Sequence, residues 1–503
     1  MIFFILYPLT FILQVISSGF EKQRMKVTTM RKHIVIIGAG ISGLSMAFYL
    51  RRAGHAVTVL EKSARPGGVI RSERQEGFLV EHGPNSTLET TPILRELFAE
   101  LGILDSLCYA NEQSKNRYIV RDARLQALPM SPPAFLRTGL FSTRAKLRLL
   151  KEPFIKASPA EMEESLADFV TRRIGREFLD YAINPFVAGV YAGSPETLSV
   201  KSAFPKLHQL EQTYGSLIRG AILGARERRR RAETEKTKAR LLTFQEGLQT
   251  LVDALAQSLE EQLHTGAEVQ QTRRNGAGYE ILYRRGGENR QLHADALVLA
   301  IPAHAYRDFP LEIDPALRDA LSGISYPAVN MVYFGYRSAP ESIPLDGFGM
   351  LVPEKERRRI LGTIWSSTIF PDRAPQHGVA LTTFVGGSRQ PEIAGLPDDQ
   401  LIAAVREDLK DLMQITAPPD VVQIRRWQQA IPQYRLGHQQ IIDAIEATER
   451  NQPGLFLTGN FRGGISVGDC IKQSHALSDA VGVHLASGEE RLMNAECGMR
   501  ISE

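Results

Sequence analysis

Cysteine is scarce in this chain: 3 residues among 503, Cys108, Cys470 and Cys497, far apart in sequence. That excludes a disulfide framework, and the spacings fit no thiolate metal site. A reducing cytoplasm is the expected compartment. Strong charge of one sign is missing too. Lys and Arg number 60 against 56 Asp and Glu, a net +4, so nothing in the balance calls for a nucleic-acid partner. Past residue 29 no apolar run approaches the roughly 20 residues that a bilayer span needs. Hydrophobic residues make up 43% and charged residues 23%, which allows a large core and about two or three domains.

The start is the compositional anomaly. "MIFFILYPLTFILQVISSGF" has no Lys or Arg before Lys22, so it lacks the basic n-region of a secretory signal. Its apolar run is also short for a bilayer span. Met25 and Met30 offer alternative starts, the second directly before the first expected strand. Residues 1–29 therefore read as an N-terminal extension, from a misplaced start or serving as an anchor, and stand outside the fold argument.

What the chain does have is glycine at both ends. "HIVIIGAG" is a β-branched run that breaks into glycine, and "ISGLSMAFYLRRAG" follows with apolar residues at helical spacing. Gly38, Gly40 and Gly43 fit G-x-G-x-x-G in a strand–turn–helix context. Gly38 permits the tight turn, Gly40 admits a pyrophosphate to the backbone, and Gly43 lets the helix pack on the strand. The next strand, "AVTVLE", ends at Glu61, a carboxylate suited to ribose hydroxyls and hostile to a 2′-phosphate. This is a dinucleotide site, and NADP is disfavoured.

"EKSARPGGVIRSERQEGF" then turns through Gly67 and Gly68 with Arg65 and Arg71 around it, instead of running into another β–α unit. The stretch resembles the E-x(3)-R-x-G-G-x-x-x-S pattern of the flavin amine oxidase superfamily, which binds FAD. By that resemblance Glu61 holds the adenosine ribose, Arg65, Gly68 and Arg71 line the path from pyrophosphate to flavin, and the backbone at Val269 lies against the adenine. At the far end, "GLFLTGNFRGGISVGDCIKQSHALSDAV" reads as a strand ending at Gly459 and a helix opening near Val467 and Asp469. Both chain ends would close on one flavin.

A closer resemblance rests on "GPNS", "NRYIV", "NPFVAGVYAG" (with Asn184 where the family usually has Asp), "LSVKSAFPKL", "DGFGMLVP", "TTFVGGSRQPE", "IPQY" and "GDCI", in order from about residue 31 to 487. Together they resemble the oxygen-dependent porphyrinogen oxidases of haem synthesis. Those enzymes carry out a six-electron oxidation of protoporphyrinogen IX or coproporphyrinogen III, with oxygen as acceptor and hydrogen peroxide released. The resemblance implies that Arg117 pairs with a substrate propionate and that Asn85 lies near the pyrrole face. It puts Leu351 and Ile364 about one ring, Phe384 on another, and the Gly189 carbonyl against the macrocycle. No general base is evident. Similarity to bacterial members leans toward a coproporphyrinogen-competent enzyme. The family also implies peripheral membrane contact through the helical domain and hand-off of product to a ferrochelatase.

The expected fold is α/β: a Rossmann-type FAD-binding domain assembled from both chain ends, a mixed-sheet substrate domain and a helical domain. FAD-binding parts are expected at 31–110, 241–305 and 426–487, substrate-domain parts at 111–139 and 306–425, the helical domain at 140–240 and a tail at 488–503. The basic run "RERRRRAETEKTKAR" (226–240) reads as a solvated helix or loop, or as a patch for anionic lipid. Two other readings compete. An amine oxidase or carotenoid desaturase on the same scaffold is weakened because the C-terminal stretch offers only Phe461 toward an aromatic cage. A non-catalytic tetrapyrrole carrier is weakened because the flavin-facing motifs are retained.

Overall fold

The computed structural model describes residues 32–500, apart from 113, 231–238, 277, 341, 344 and 345, and without side chains for 225–230 and 488–500. The N-terminal extension, most of the basic run and the tail's side chains lie outside the described residues.

β-Branched and leucine runs build a parallel sheet of five strands. Its order is Leu263–Thr265, Ala56–Glu61, His33–Ile37, Ala296–Leu299 and Leu455–Leu457. Strands buried on both faces read as continuous apolar runs, which is why "IVII" and "ALVL" carry no alternation. Ile34, Ile36, Val57 and Val298 pack against helices Ile41–Arg52, Pro92–Glu100, Gln249–Leu259 and Val467–Arg500. Val35, Ile37 and Leu299 turn the other way, onto the antiparallel meander Ala267–Asn275, Gly278–Arg285 and Glu288–Ala294 and onto helices Pro315–Ser322 and His438–Asn451. The result is a three-layer dinucleotide-type domain assembled from remote parts of the chain.

A second sheet has seven strands in the order Val421–Trp427, Val329–Tyr336, Val379–Gly386, Ile360–Trp365, Gly347–Leu351, Asn116–Arg121 and Arg124–Ala127. It is mixed, because Gly347–Leu351 runs parallel to Asn116–Arg121 while its other neighbours are antiparallel. Its last hairpin turns at Asp122 and Ala123, both at positive φ (54° and 55°). The Glu356 carboxylate offsets that strain by accepting from both turn amides, at 2.9 and 3.0 Å. Helix Asp398–Met413 covers one face through Leu401, Val405 and Leu409.

The other face meets a helical layer. Helix Pro132–Arg137 places Phe135 on its core. A buried ion network ties the layer together. Arg173 pairs with Glu152 (3.2 Å) and Glu211, and Arg172 pairs with Glu164 and with Glu211 (2.9 Å). Glu152 also accepts from the amides of Leu217 and Ile218, satisfying the start of helix Leu217–Arg230. Helix Asn184–Tyr191 follows a π-turn at Leu179–Ile183. Asn184 joins it to the seven-stranded sheet, its amide donating to Glu354 at 3.1 Å and its carbonyl accepting from the Glu354 amide at 3.0 Å.

Candidate active site

The two glycine stretches meet. Gly38 has φ 101°, and a Cβ there would sit 2.5 Å from the Ala300 carbonyl oxygen. A Cβ on Gly43 would lie 1.9 Å from the Gly38 carbonyl oxygen, so the helix rests directly on the turn. Gly40 differs: no atom lies within 4 Å of a Cβ built on it. Its backbone bridges to Gly67, whose amide donates to the Ala39 carbonyl at 2.7 Å. Gly68 closes over the same turn, with Gly40 Cα 3.3 Å from its ideal Cβ.

Glu61 is held by two backbone amides, Ala39 and Ser63, each at 2.8 Å. Its carboxylate is fixed at the strand end with acceptor capacity left for hydroxyls. Arg65 clasps its own loop instead, donating to the carbonyls of Pro66 (3.1 Å), Gly68 (2.9 Å) and Ile70 (3.0 Å). It shapes the Gly67–Gly68 turn. Arg71 is ion-paired with Glu73 beside that turn. Val269 stands at a β-bulge in the meander, packed on the cluster that holds Leu60.

On the C-terminal side, Gly459 has φ 151°. The neighbouring Thr458 is 1% exposed and its hydroxyl has no partner among the described residues. The loop after it is pinned by Tyr434, whose hydroxyl donates to the Asn460 carbonyl (2.7 Å) and accepts from the Gly464 amide (3.1 Å). Val467 begins the last helix. Ser466 and Asp469 close its first turn, the Ser466 hydroxyl donating to Asp469 at 2.7 Å and accepting from the Asp469 amide at 3.1 Å. Ser474 donates to the Ser42 carbonyl at 2.9 Å, so this helix and Ile41–Arg52 lie against each other. Two helix N-termini, an open glycine backbone, an orphaned buried hydroxyl and an anchored carboxylate fit a long dinucleotide carrying a pyrophosphate.

The other expected residues gather on the face of the mixed sheet that is turned toward the helical layer. Register puts Arg117, Gly349, Ile364 and Thr382 in one row and Ile119, Leu351, Gly362 and Phe384 in the adjacent row. Neighbours in register share a face, so Arg117, Ile364, Leu351 and Phe384 form one wall. Gly189 abuts it: a Cβ there would come 2.5 Å from a Leu351 methyl. Within a mostly buried helix, Gly189 and Val190 are the exposed positions. The Arg117 guanidinium lies over the Phe348 ring at 5.4 Å. Asn85 and Ile364 line one small cavity with Glu81, Ser366, Arg373 and Thr382. Phe461 does not reach this wall. It is fully buried beneath the parallel sheet, edge-on to Tyr306 at 6.1 Å.

Sequence reasoning missed Glu81, Arg373, Ser366 and Thr382. A carboxylate closing the apolar strand "FLVE" was the available signal for Glu81; nothing in "PDRAP" marks Arg373. Burial pushes the Glu81 carboxyl up to about 7, against the lowering effects of the Ser72 hydroxyl, Arg373 and the Leu248 amide.

The sequence profile described as "Flavin containing amine oxidoreductase" matches residues 41–481. The chain belongs to that family. Among curated proteins, protoporphyrinogen oxidase 2 of Arabidopsis thaliana is 33% identical over 94% of this chain and 98% of its own length. Coproporphyrinogen III oxidase of Bacillus subtilis (strain 168) is 31% identical over 90% of this chain and 98% of its own length. The chain thus falls in the porphyrinogen oxidase branch, and FAD is its cofactor. Among solved structures, a protein of Exiguobacterium sp. 255-15 with a provisional protoporphyrinogen oxidase designation shares the fold, at TM-score 0.76 and 24% identity over 90% of this chain and 99% of that one. Putrescine oxidase bound to putrescine shares it at TM-score 0.65 and 16% identity, over 90% of this chain and 100% of that one.

Proposed function

We propose that this FAD-dependent oxidoreductase converts a porphyrinogen, coproporphyrinogen III or protoporphyrinogen IX, to its porphyrin, with oxygen as final acceptor and hydrogen peroxide released. The observation that carries this reading is the wall itself: Leu351, Ile364 and Phe384 on one sheet face, Arg117 in the row of Ile364, and Gly189 bare against Leu351. A porphyrinogen is broad and apolar with carboxylates at its rim. It suits an apolar slot with few polar anchors.

The cofactor, when bound, supplies hydride acceptance. The chain's own residues do the rest. Glu61, the open Gly40 turn and the Val467–Asp469 helix start hold the dinucleotide. The Arg117 guanidinium takes a propionate in a bidentate contact. Leu351, Ile364 and Phe384 exclude water from the ring, Asn85 borders its pyrrole face, and Gly189 offers a backbone carbonyl without a side chain in the way. An amine oxidase reading lacks its aromatic cage, since Phe461 is core. Porphyrin formation by flavin-loaded protein is the test.

Peripheral membrane contact is part of the same proposal. The helical layer exposes Leu136 (71%), Leu150 (69%) and Phe154 (81%) among Arg137, Lys151 and Lys156. Among the described residues no helix is long and apolar enough to cross a membrane. Apolar side chains ringed by cations suit the surface of an anionic bilayer. A poorly soluble porphyrin would then be released for hand-off to a ferrochelatase.

A further inference from the structure

Porphyrinogen oxidation needs a proton acceptor as well as a hydride acceptor. In each two-electron step a methylene C–H bond breaks and its hydrogen leaves with the electron pair for the flavin. Each step also releases a proton: over the three steps two come from pyrrole N–H bonds, whose electron pairs stay in the new conjugated ring, and the third from a bridging carbon, so that four C–H and two N–H hydrogens leave in all. None of the residues assigned above accepts these protons.

The small cavity beside Ile364 has a polar floor. Glu81, Asn85, Ser366, Arg373 and Thr382 all line it. The Ser366 and Thr382 hydroxyls are 2.9 Å apart, and Thr382 stands in the same row as Ile364 and Arg117. A hydroxyl pair therefore links the proposed substrate wall to the cavity that Glu81 closes. Glu81 is 7% exposed, held by the Ser72 hydroxyl at 2.5 Å and the Leu248 amide at 3.1 Å. Arg373 is the charged group that acts on it. That guanidinium is committed to the carbonyls of Phe244 (2.8 Å) and Gln245 (2.9 Å) and to the Thr243 hydroxyl, and forms no ion pair with Glu81. The carboxylate thus keeps acceptor capacity in a site where its charge is only partly compensated.

We propose that Glu81 is the terminal acceptor of the proton released in each step, reached through the Ser366–Thr382 hydroxyl pair and the cavity rather than by touching the substrate. The N–H bond (in one step the bridging C–H bond) breaks, the hydroxyls relay, and an O–H bond forms on Glu81. Reoxidation of the flavin by oxygen and loss of that proton to solvent reset the site for the next two electrons. The inference rests on the porphyrinogen oxidase reading. It makes Glu81 a positioning residue in the proton path, and burial sets it to titrate near neutrality, at about 7.

The test is anaerobic stopped-flow reduction of the bound flavin by coproporphyrinogen III and by protoporphyrinogen IX across a pH series. Wild type is expected to speed up as pH rises through about 7. Glu81→Gln should lose that limb and slow reduction by roughly 10²–10⁴-fold, with KM and the flavin spectrum unchanged. Glu81→Asp should restore part of the limb, which a purely structural role would not predict. A Glu81→Gln enzyme with wild-type rate and pH profile overturns the inference alone. Should that variant not fold, the wild-type profile decides: a flat rate across neutrality overturns the proposal, and a limb that survives at reduced rate in Ser366→Ala supports it. Wild-type flavin that neither porphyrinogen reduces at any pH overturns the reading and the inference together.

Discussion

Gly40 separates cofactor binding from folding, which few glycines in this chain do. A Cβ there meets nothing within 4 Å, whereas one on Gly43 would collide with the Gly38 carbonyl at 1.9 Å. Gly40→Ala is therefore expected to melt like wild type as apoprotein, within about 0.5 kcal/mol. Its affinity for FAD should fall at least tenfold, about 1.4 kcal/mol, because the added methyl occupies the side of the turn that a pyrophosphate must approach. Thermal melts of apoprotein together with fluorescence titration of FAD check both halves; wild-type affinity would show that the cofactor does not cross this turn. Glu81 also couples to stability, with the opposite sign from an ordinary paired carboxylate. Its folded-state value lies above the model-peptide 4.5, near 7. The folded state therefore holds its proton more tightly, and the stabilisation present below pH 4.5 is lost as pH rises through about 7. Glu81→Gln should gain relative stability over that window.

At the scale of elements, the buried network of the helical layer is the most exposed to mutation. Arg173 and its partners Glu152 and Glu211 are all 0% exposed. Arg173→Met takes the cation from buried Glu152 and one of two from Glu211, which keeps Arg172, and is expected to cost about 3–5 kcal/mol, seen as a lower denaturant midpoint at unchanged slope. A loss below 1 kcal/mol would mean that the network is not closed in solution. These elements were unevenly legible in the sequence. The strand–turn–helix around Gly38, Gly40 and Gly43 could be read because all its determinants lie within a few residues of each other. The stretch 263–275 was harder. A turn at Gly266, with φ 63°, separates Leu263–Thr265, which joins the parallel sheet, from Ala267–Asn275, which opens an antiparallel meander. Both halves look alike as strands, and only their remote partners tell them apart. The same reason hid the Glu81 cavity: its walls come from strand Phe78–Glu81 and from residues 364–382, and no local pattern joins them. Leu351, Ile364 and Phe384 could be named by resemblance, but that they stand in adjacent rows follows from register, which sequence alone leaves open.

As a whole, the molecule is a cofactor domain drawn from both chain ends, a wall of sheet and a helical layer that exposes Leu136, Leu150 and Phe154. If that patch docks on lipid, Leu150→Glu with Phe154→Glu should abolish sedimentation with vesicles of anionic phospholipid while leaving turnover in detergent unchanged. Retained sedimentation would assign the patch no such role. The central claim, however, is chemical. The most direct measurement is porphyrin fluorescence from flavin-loaded protein supplied in air with coproporphyrinogen III and with protoporphyrinogen IX in parallel. The account predicts fluorescence growing with peroxide in step for at least one of the two, and the faster one names the physiological substrate. No fluorescence above the uncatalysed rate with either substrate, from protein whose flavin is present and reducible, would contradict it.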